Sequence, residues 1–300
     1  MHQTHVKSKK LYMNKMSLKK LASVFIVINI FQYSLAQITL CTYNIRYDNP
    51  SDGINSWANR LPHLSAQLKS IQCDFLGTQE GLYHQLSQLS DSLGQNYTWI
   101  GVGRDSGNRA GEHCAIFYRR DKFEIISLKS DFPQTFWLST TPKIPSKGWD
   151  AALPRIATGA LFKEISTGKM VFVLNTHFDH VGQKAREESV KLIWNFVGPL
   201  IQKKIPVAVM GDFNLPDTSQ AIQWISHKLY DTRNLNATIE YPKGTFNGFE
   251  PLHTHGKRID YIFTSPEIKP LSYRIDDRQP AQNQYFSDHY PVITTLNFNP

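Results

Sequence analysis

The chain of 300 residues lacks several features that define other classes of protein. It has only three cysteines, Cys41, Cys73 and Cys114, whose spacing fits neither a zinc motif nor a disulfide framework. It has no Gly/Ser-rich linker, no low-complexity run and no internal repeat, and apart from one segment near the amino terminus it has no long apolar run. We therefore expect a single globular domain with buried free thiols.

The exceptional segment is 1–36. Lysines precede an apolar run from Leu21 to Ile28, and small residues stand two apart just before Gln37. This order predicts a secretory signal cleaved before Gln37, because the apolar run is too short for a comfortable membrane span. An uncleaved anchor is the alternative. Cleavage would leave a domain at 37–300, in the periplasm or outside the cell, without a stable membrane anchor.

The export signal also explains the high net charge. Six of the 33 basic residues and none of the 25 acidic residues lie in 1–36, so the rest carries 27 basic and 25 acidic side chains. Composition therefore does not demand a strongly basic face for duplex nucleic acid, although a local basic patch remains compatible with it.

Helical and strand-like segments alternate along the remaining chain. The turn Ser166-Thr167-Gly168 predicts a hairpin in the middle of the sequence. Because strand–helix–strand units occupy the first and last thirds, with hairpins between them, we expect a mixed sheet rather than a purely parallel one. Four segments have the apolar spacing of helices, namely Asn59–Ile71, Leu82–Leu93, Gln183–Lys203 and Ser219–Lys228.

The segment from Val207 to Asn214 is the clearest candidate for a functional site. Four apolar residues before Gly211 predict a buried strand, and the polar residues Asp212 and Asn214 follow at its end. Ligands of α/β sheets bind beyond strand ends, although a simple turn also explains these two residues. We expect a shared site because other strand-like runs lead to similar polar residues, at Asn44, Glu80, His177, Asp260, Asp288 and His289.

These residue types suit the hydrolysis of a phosphate ester. Asn44, Glu80 and Asp288 offer hard oxygen ligands for Mg²⁺ or Mn²⁺, which keep room for water and substrate phosphate. Asp212 could accept the proton of an attacking water, while the amide of Asn214 would hold the water or the phosphate.

Two histidines could supply positive charge to the phosphoryl oxygens. His177 and His289 would donate to those oxygens if protonated, and protonation requires a carboxylate behind each ring. We predict that Asp260 is the carboxylate that pairs with His289.

In order and spacing, the motifs around these residues resemble the endonuclease/exonuclease/phosphatase superfamily over residues 38–297. The resemblance implies an α/β fold, a four-layer α/β sandwich in which two mixed β-sheets pack face to face with helices outside. The motifs that carry it are Thr42-Tyr43-Asn44, Gln79-Glu80, Asn175-Thr176-His177, Gly211-Asp212-Phe213-Asn214, Ile259-Asp260-Tyr261-Ile262 and Ser287-Asp288-His289-Tyr290-Pro291.

The same resemblance implies a metal-dependent phosphoesterase. It places Asn44 and Glu80 at metal-binding positions and Asp212 and Asn214 in the water-activating pair. His177 matches a histidine of the deoxyribonuclease, deadenylase and sphingomyelinase branches. The family's final acid and its phosphate-contacting histidine correspond to Asp288 and His289.

Four further residues remain open between functional and structural explanations. Arg155, just before a strand, could bind a phosphate oxygen or form a surface ion pair. Glu112 could line the substrate rim or only precede the next strand. Asp179 and His180 could orient Arg186 or line the pocket, or they could simply form the turn into a helix.

The sequence thus predicts an exported, monomeric, divalent-metal-dependent phosphoesterase that uses a water activated by Asp212. A secreted nuclease acting on DNA or RNA is the alternative enzyme, and it would require a basic stripe beside Asp212. A silent binding protein of the same fold is the third possibility. It would be expected to have lost Glu80, Asp212 or His289, and all three are present.

Overall fold

The computed structural model describes residues 37–126, 134–235, 244–250, 256–281 and 284–297. The predicted signal segment 1–36 lies outside the described residues. The strands, in chain order, are β1 (Gln37–Asn44), β2 (Phe75–Gly81), β3 (Tyr97–Ile100), β4 (His113–Arg119), β5 (Phe123–Ile126), β6 (Thr135–Trp137), β7 (Ile156–Glu164), β8 (Met170–His177), β9 (Val207–Asp212), β10 (Tyr230–Asp231), β11 (Asp260–Thr264), β12 (Lys269–Ile275) and β13 (Val292–Asn297).

These strands form two sheets, and both are mixed, as predicted. The first has the order β12-β13-β1-β2-β4-β3, and β1 and β2 are its parallel pair. The second has the order β10-β11-β9-β8-β7-β5, with β6 on β7, and β8 and β9 are its parallel pair. The predicted hairpin is present, because β7 and β8 pair antiparallel across the turn.

The two sheets pack face to face through an apolar layer. Phe75 of the first sheet meets Phe162 of the second, edge to face, with ring centroids 4.8 Å apart. Val173 and Met210 lie in the same buried cluster, and each such side chain contributes roughly 1.5–3 kcal/mol relative to exposure. The apolar strand runs of the sequence therefore become the centre of a sandwich.

Polar side chains join the sheets near the strand ends. Gln79 Nε2 donates to Asn175 Oδ1 at 2.6 Å, and Asn175 Nδ2 donates to the backbone oxygens of Thr78 and Ala115 at 2.8 and 2.9 Å. Gly77 allows this approach, because a Cβ there would lie 2.7 Å from Asn175 Oδ1. This buried network fixes the distance between the sheets beside the polar strand ends.

Helices cover the outer faces, which confirms the predicted four-layer sandwich. Leu64 and Leu86 pack against the first sheet, while Val190 and Ile222 belong to the apolar cluster on the second. The helix bounds agree with the sequence prediction to within two residues. The helices are α1 (Trp57–Ile71), α2 (Tyr83–Leu93), α3 (Gln183–Gln202) and α4 (Gln220–Ser226), with short 3₁₀ turns at Pro50–Asn55 and Thr232–Leu235.

The expectation for the cysteines is met among the described residues. Cys41, Cys73 and Cys114 are buried and free, as predicted. Over the parts of the chain that are described, no helix combines the length and the apolar character needed to cross a bilayer.

Candidate active site

The predicted site residues lie at one edge of the sandwich, because the ends of several strands meet there. Asp212, at the end of β9, pairs in register with His177 of β8 on one side and with Asp260 of β11 on the other. Gly211 permits the tight pairing of β9 with β8. Its φ is 152°, and a Cβ would lie 2.1 Å from the oxygen of Thr176.

Asn44 joins the two sheets at this edge. Its Nδ2 atom lies 3.0 Å from Glu80 Oε1 and 3.0 Å from Asp212 Oδ2. Asn44 and Glu80 belong to the first sheet and Asp212 to the second, so this amide holds carboxylates of both sheets together. Glu80 adopts a left-handed φ of 65°, which is uncommon for a residue with a side chain and occurs often at functional sites.

The carboxyl groups are crowded and shielded from water. Asp212 is 1% exposed and Asp288 is 6% exposed. Burial, and then the negative charge of Asp260, raise the pKa of Asp212 to about 7. Burial also raises the pKa of Asp288 to about 6, and the charge of Glu80 adds to the increase. A cation or a positively charged donor at this edge would be stabilised by the same carboxylates.

His289 and Asp260 form the predicted pair. His289 Nδ1 lies 2.9 Å from Asp260 Oδ2, and His289 Nε2 lies 3.7 Å from Asp212 Oδ2. Burial alone would lower the pKa of His289, but the charges of Asp260 and Asp212 outweigh it and raise the pKa to about 10. His289 is therefore an imidazolium at neutral pH, with its Nε2 side toward Asp212.

The expectation that His177 carries a similar charge is not met, because an arginine lies behind its ring. The Nη1 atom of Arg155 is 3.0 Å from Nδ1 and 3.1 Å from Nε2 of His177. Burial first, and then the positive charge of Arg155, lower the pKa of His177 well below its ordinary value. His177 is thus a neutral imidazole that accepts a hydrogen bond from the guanidinium.

Asn214 orients this neutral ring. Its Nδ2 atom donates to the oxygen of Phe178 at 3.0 Å and lies 3.1 Å from His177 Nε2, and its backbone N–H donates to Asp212 Oδ1. Asp212 and Asn214 therefore form a turn, and both residues also belong to the site. The amide that we expected to hold water or phosphate contacts protein atoms in this structure.

Arg155 does not form a surface ion pair, since it is buried. Its Nη2 atom donates to His180 Nδ1 at 2.9 Å, and its Nε atom lies 3.5 Å from Asp179 Oδ1. Asp179 also accepts hydrogen bonds from the backbone at the start of α3, so it both forms the helix turn and holds the arginine. Arg186 contacts the backbone oxygen of Asp179 rather than its carboxylate.

Glu112 and Arg46 also line the cavity. The sequence left the role of Glu112 open, and it did not identify Arg46 as a site residue. Glu112 bonds Arg104 at 2.6 Å, and burial, aided by the charge of Glu80, raises its pKa to about 7. Arg46 lies 3.7 Å from Asp288 and is paired with Asp52. The only sequence signal for Arg46 was its position two residues after Asn44.

The oxygen donors fit a hard divalent cation in type. Glu80 and Asp288 face one cavity, and carboxylate oxygens with room for water suit Mg²⁺ or Mn²⁺. Asn44 presents its amide nitrogen to the carboxylates, so its amide would have to turn over to present oxygen. Asp212, Asp260 and His289 also lie close enough to hold an ion, but a protonated His289 has no lone pair for a metal.

These groups surround a single cavity of about 520 Å³. Its acidic side is formed by carboxylates, and Leu153 and Phe246 provide apolar surface. Phe246 stands edge-on to the ring of His289, with centroids 5.0 Å apart. Among the predicted site residues, the lining includes Glu80, Arg155, His177, Asp212, Asn214, Asp288 and His289.

Comparison with known proteins identifies this arrangement. Residues 41–289 match the sequence profile of the Endonuclease/Exonuclease/phosphatase family. The chain belongs to this family. Members of the endonuclease/exonuclease/phosphatase family are hydrolases that act on phosphate esters, which agrees with the acidic cavity and its flanking cations.

Two solved structures from Bacteroides thetaiotaomicron are similar over nearly their whole length. One, an endonuclease/exonuclease/phosphatase family protein, is 38% identical with a TM-score of 0.80, covering 88% of this chain and 98% of that chain. The other, a mannosyl-6-phosphatase, is 38% identical with a TM-score of 0.79, covering 86% of this chain and 99% of that chain.

A curated relative is a longer protein that matches this chain over part of its length. The 3'-5'-exoribonuclease subunit Ccr4 of the CCR4-Not complex of Kluyveromyces lactis is 22% identical over 302 residues, which include 81% of this chain. The chain spans only 38% of the length of that subunit.

Proposed function

We propose that this chain is an exported, divalent-metal-dependent phosphoesterase that hydrolyses a small phosphate ester. The observation that carries the proposal is the position of Asp212. Its carboxylate is bonded to Asn44, lies 3.5 Å from His177 Nε2 and 3.7 Å from His289 Nε2, and borders the cavity. Both sheets thus direct polar groups at one carboxylate whose pKa is raised to about 7.

The proposed roles follow from charge and position. Asp212 accepts the proton of the attacking water, since a base with a pKa near neutral pH is well matched to that task. His289, charged and held by Asp260, donates to a phosphoryl oxygen, and Arg155 donates to another. Asn214 acts through His177, whose ring it orients.

Glu80 and Asp288, with Asn44 after its amide turns over, would hold Mg²⁺ or Mn²⁺. A bound divalent cation supplies Lewis-acid polarisation of the phosphoryl group and stabilises the leaving oxygen.

Three observations favour a small ester over nucleic acid. The net charge of residues 37–300 is about +2, which is low for a protein that depends on phosphate-backbone contacts. The cavity of about 520 Å³ matches a small molecule. The similarity to a mannosyl-6-phosphatase makes a sugar phosphate a sensible first substrate. A secreted nuclease is the rival, and it would require cleavage of DNA or RNA that weakens steeply with salt.

We also propose that the mature protein is a monomer that begins at Gln37 and acts in the periplasm or outside the cell. Gln37 is the first residue of β1 and pairs with Asn297 of β13, so cleavage before it would leave the whole strand in place. Amino-terminal sequencing of protein recovered from cell fractions tests this: a start at Gln37 outside the cytoplasm supports it, and an intact Met1 in the cytoplasm contradicts it.

The test of the activity uses purified residues 37–300 with Mg²⁺ and with a chelator. The substrates are hexose 6-phosphates, inositol phosphates, sphingomyelin, nitrophenyl mono- and diesters, plasmid DNA and poly(A). Metal-dependent release from a small ester supports the proposal, whereas selective cleavage of DNA or RNA supports the nuclease.

A further inference from the structure

The buried carboxylate of Asp179 connects the helix start behind the site with the rim of the cavity. It is 1% exposed, and it accepts hydrogen bonds from four backbone N–H groups. Asp179 Oδ2 bonds the amides of Val181 and Gly182 at 3.0 and 2.7 Å, at the start of α3. The carboxylate also bonds the amides of Ala152 and Leu153 at 3.0 and 3.3 Å, in the loop that leads to Arg155.

The remaining contact of this carboxylate is with Arg155. Asp179 Oδ1 lies 3.5 Å from Arg155 Nε. The two Nη atoms of Arg155 lie 3.0 Å from His177 Nδ1 and 2.9 Å from His180 Nδ1. A planar fork with fixed donors can meet all of these partners in only one orientation.

The contact with Arg155 selects one tautomer of His180. A guanidinium nitrogen can only donate, so His180 Nδ1 must accept, and its proton must be on Nε2. His180 is exposed and lines the cavity, beside Leu153. In this contact the Nε2–H of His180 is the ring donor that is left for a ligand at the cavity rim.

We propose that Asp179 is a positioning residue that fixes Arg155 and, through Arg155, holds His180 as an Nε2–H donor at the cavity rim. The substrate feature that His180 would recognise is a hydroxyl or another uncharged acceptor outside the phosphoryl group. This inference rests on the proposed phosphoesterase function for its kinetic consequences, whereas the tautomer of His180 is independent of any activity.

The chain contains a matched control for the structural part of Asp179. Asp150 also supports the start of α3, where its carboxylate accepts hydrogen bonds from Lys184 and Ala185 at 3.2 and 2.7 Å. Neither aspartate lines the cavity, but Asp179 contacts the side chain of Arg155, whereas these two bonds of Asp150 go to backbone amides only. Asp150→Asn therefore perturbs the same helix start without the link to Arg155.

The experiment compares Asp179→Asn, Asp150→Asn and Arg155→Lys in the chain from residue 37 onward. The ¹⁵N spectrum of histidine-labelled protein, with His180 assigned through His180→Asn, reports the tautomer directly. We expect wild type and Asp150→Asn to show the Nε2–H form, and Asp179→Asn and Arg155→Lys to show a mixture of tautomers. Arg155→Lys retains the carboxylate of Asp179, so it remains informative if Asp179→Asn does not fold.

Kinetics with hexose 6-phosphate and 4-nitrophenyl phosphate test the consequence for the site. Asp179→Asn should lower kcat/KM at least about 10-fold on both esters, since a small misplacement of a binding group has large effects. When Asp179→Asn is added to Arg155→Lys, kcat/KM should fall by less than about a further 2-fold, because both changes act through one side chain. His180→Asn should raise KM for the hexose phosphate more than for the nitrophenyl ester.

Two results would overturn the inference. One is an Asp179→Asn protein that matches Asp150→Asn in kcat/KM and keeps the Nε2–H tautomer, because Asp179 would then serve only the helix start. The other is an unchanged His180 tautomer in Arg155→Lys. If wild type hydrolyses no phosphate ester, the proposed function fails, and the spectra still decide the positioning role.

Discussion

The imidazole of His289 and the carboxylate of Asp260 lie 2.9 Å apart, and both side chains are buried at the meeting point of the two sheets. Burial would make His289 neutral, so its charge depends on Asp260 and, less directly, on Asp212. The charge of His289 can therefore be altered without touching the residue itself.

Asp260→Asn should shift the pH–rate profile to lower pH. Loss of the Asp260 charge lowers the pKa of His289, so its charged form disappears at lower pH and the alkaline limb moves down. The same loss lowers the pKa of Asp212, so the acid limb moves in the same direction. We expect kcat near pH 8 to fall roughly 10–100-fold. A rate and profile identical to those of wild type would contradict the pairing.

Glu80→Gln should weaken the response to the metal. Replacing a carboxylate by an amide removes a negative ligand, so the Mg²⁺ concentration for half-maximal rate should rise at least about 10-fold. Glu112→Gln is the control, because Glu112 lines the same cavity but bonds Arg104. Titration of the rate with Mg²⁺ checks both variants. An equal rise in the half-maximal Mg²⁺ concentration for both variants would show a general effect of charge rather than a metal ligand at Glu80.

Asp179 should make folding stability depend on pH in acid. Burial opposes its charge, but hydrogen bonds from Gly182, Ala152 and Val181 lower its pKa to about 2. Because this value is below that of an unfolded Asp, about 3.9, the charge stabilises the fold above pH 3.9, and this contribution is lost as pH falls toward 2.

Urea unfolding between pH 6 and pH 2 measures this effect. Wild type should exceed Asp179→Asn by an amount on the order of 1–2 kcal/mol at pH 6, with a difference that shrinks in acid. Asp91→Asn, a change at an exposed carboxylate of α2, serves as the surface control. A difference that is constant with pH would show that the carboxylate charge is not what stabilises this turn.

Removing the hydrogen bonds of Asn175 between the two sheets should lower the stability of the fold. Asn175→Ala deletes the hydrogen bonds to Gln79, Thr78 and Ala115 and leaves buried polar atoms without partners. We expect the free energy of unfolding to fall by about 2–4 kcal/mol. Asn59→Ala, which removes one exposed side-chain hydrogen bond, should change it by less than about 0.5 kcal/mol in the same urea titration. Similar values for the two would contradict a structural role for the network.

Much of the fold was accessible from the sequence, because periodicity records which face of an element is buried. The leucines of α1 and α2 and the apolar run of β9 marked these elements correctly. The order of the strands was not accessible from periodicity, since β1 pairs with β13 across almost the whole chain. The three-residue strand β6 was missed because it is too short to show a pattern.

The site, like the fold, could be predicted only in part from the sequence. Asn44, Glu80 and Asp212 were found because polar residues that follow apolar strands stand out in a sequence. The neutral state of His177 was not predictable, because its partner Arg155 comes from a loop 22 residues away. The contact of Asp179 with Arg155 was also not predictable, since an aspartate at this position is explained equally well by the turn into a helix.

The measurement that tests the central claim most directly is phosphate release from small esters by wild type and Asp212→Ala, with Mg²⁺ and with a chelator. We expect wild type to be active only with metal and Asp212→Ala to lose at least about 10³-fold in kcat. Asp217→Ala, at a half-exposed carboxylate beyond the same turn, should retain full activity. Folding should be intact, as judged by circular dichroism. Metal-independent release, or full turnover by folded Asp212→Ala, would contradict the account.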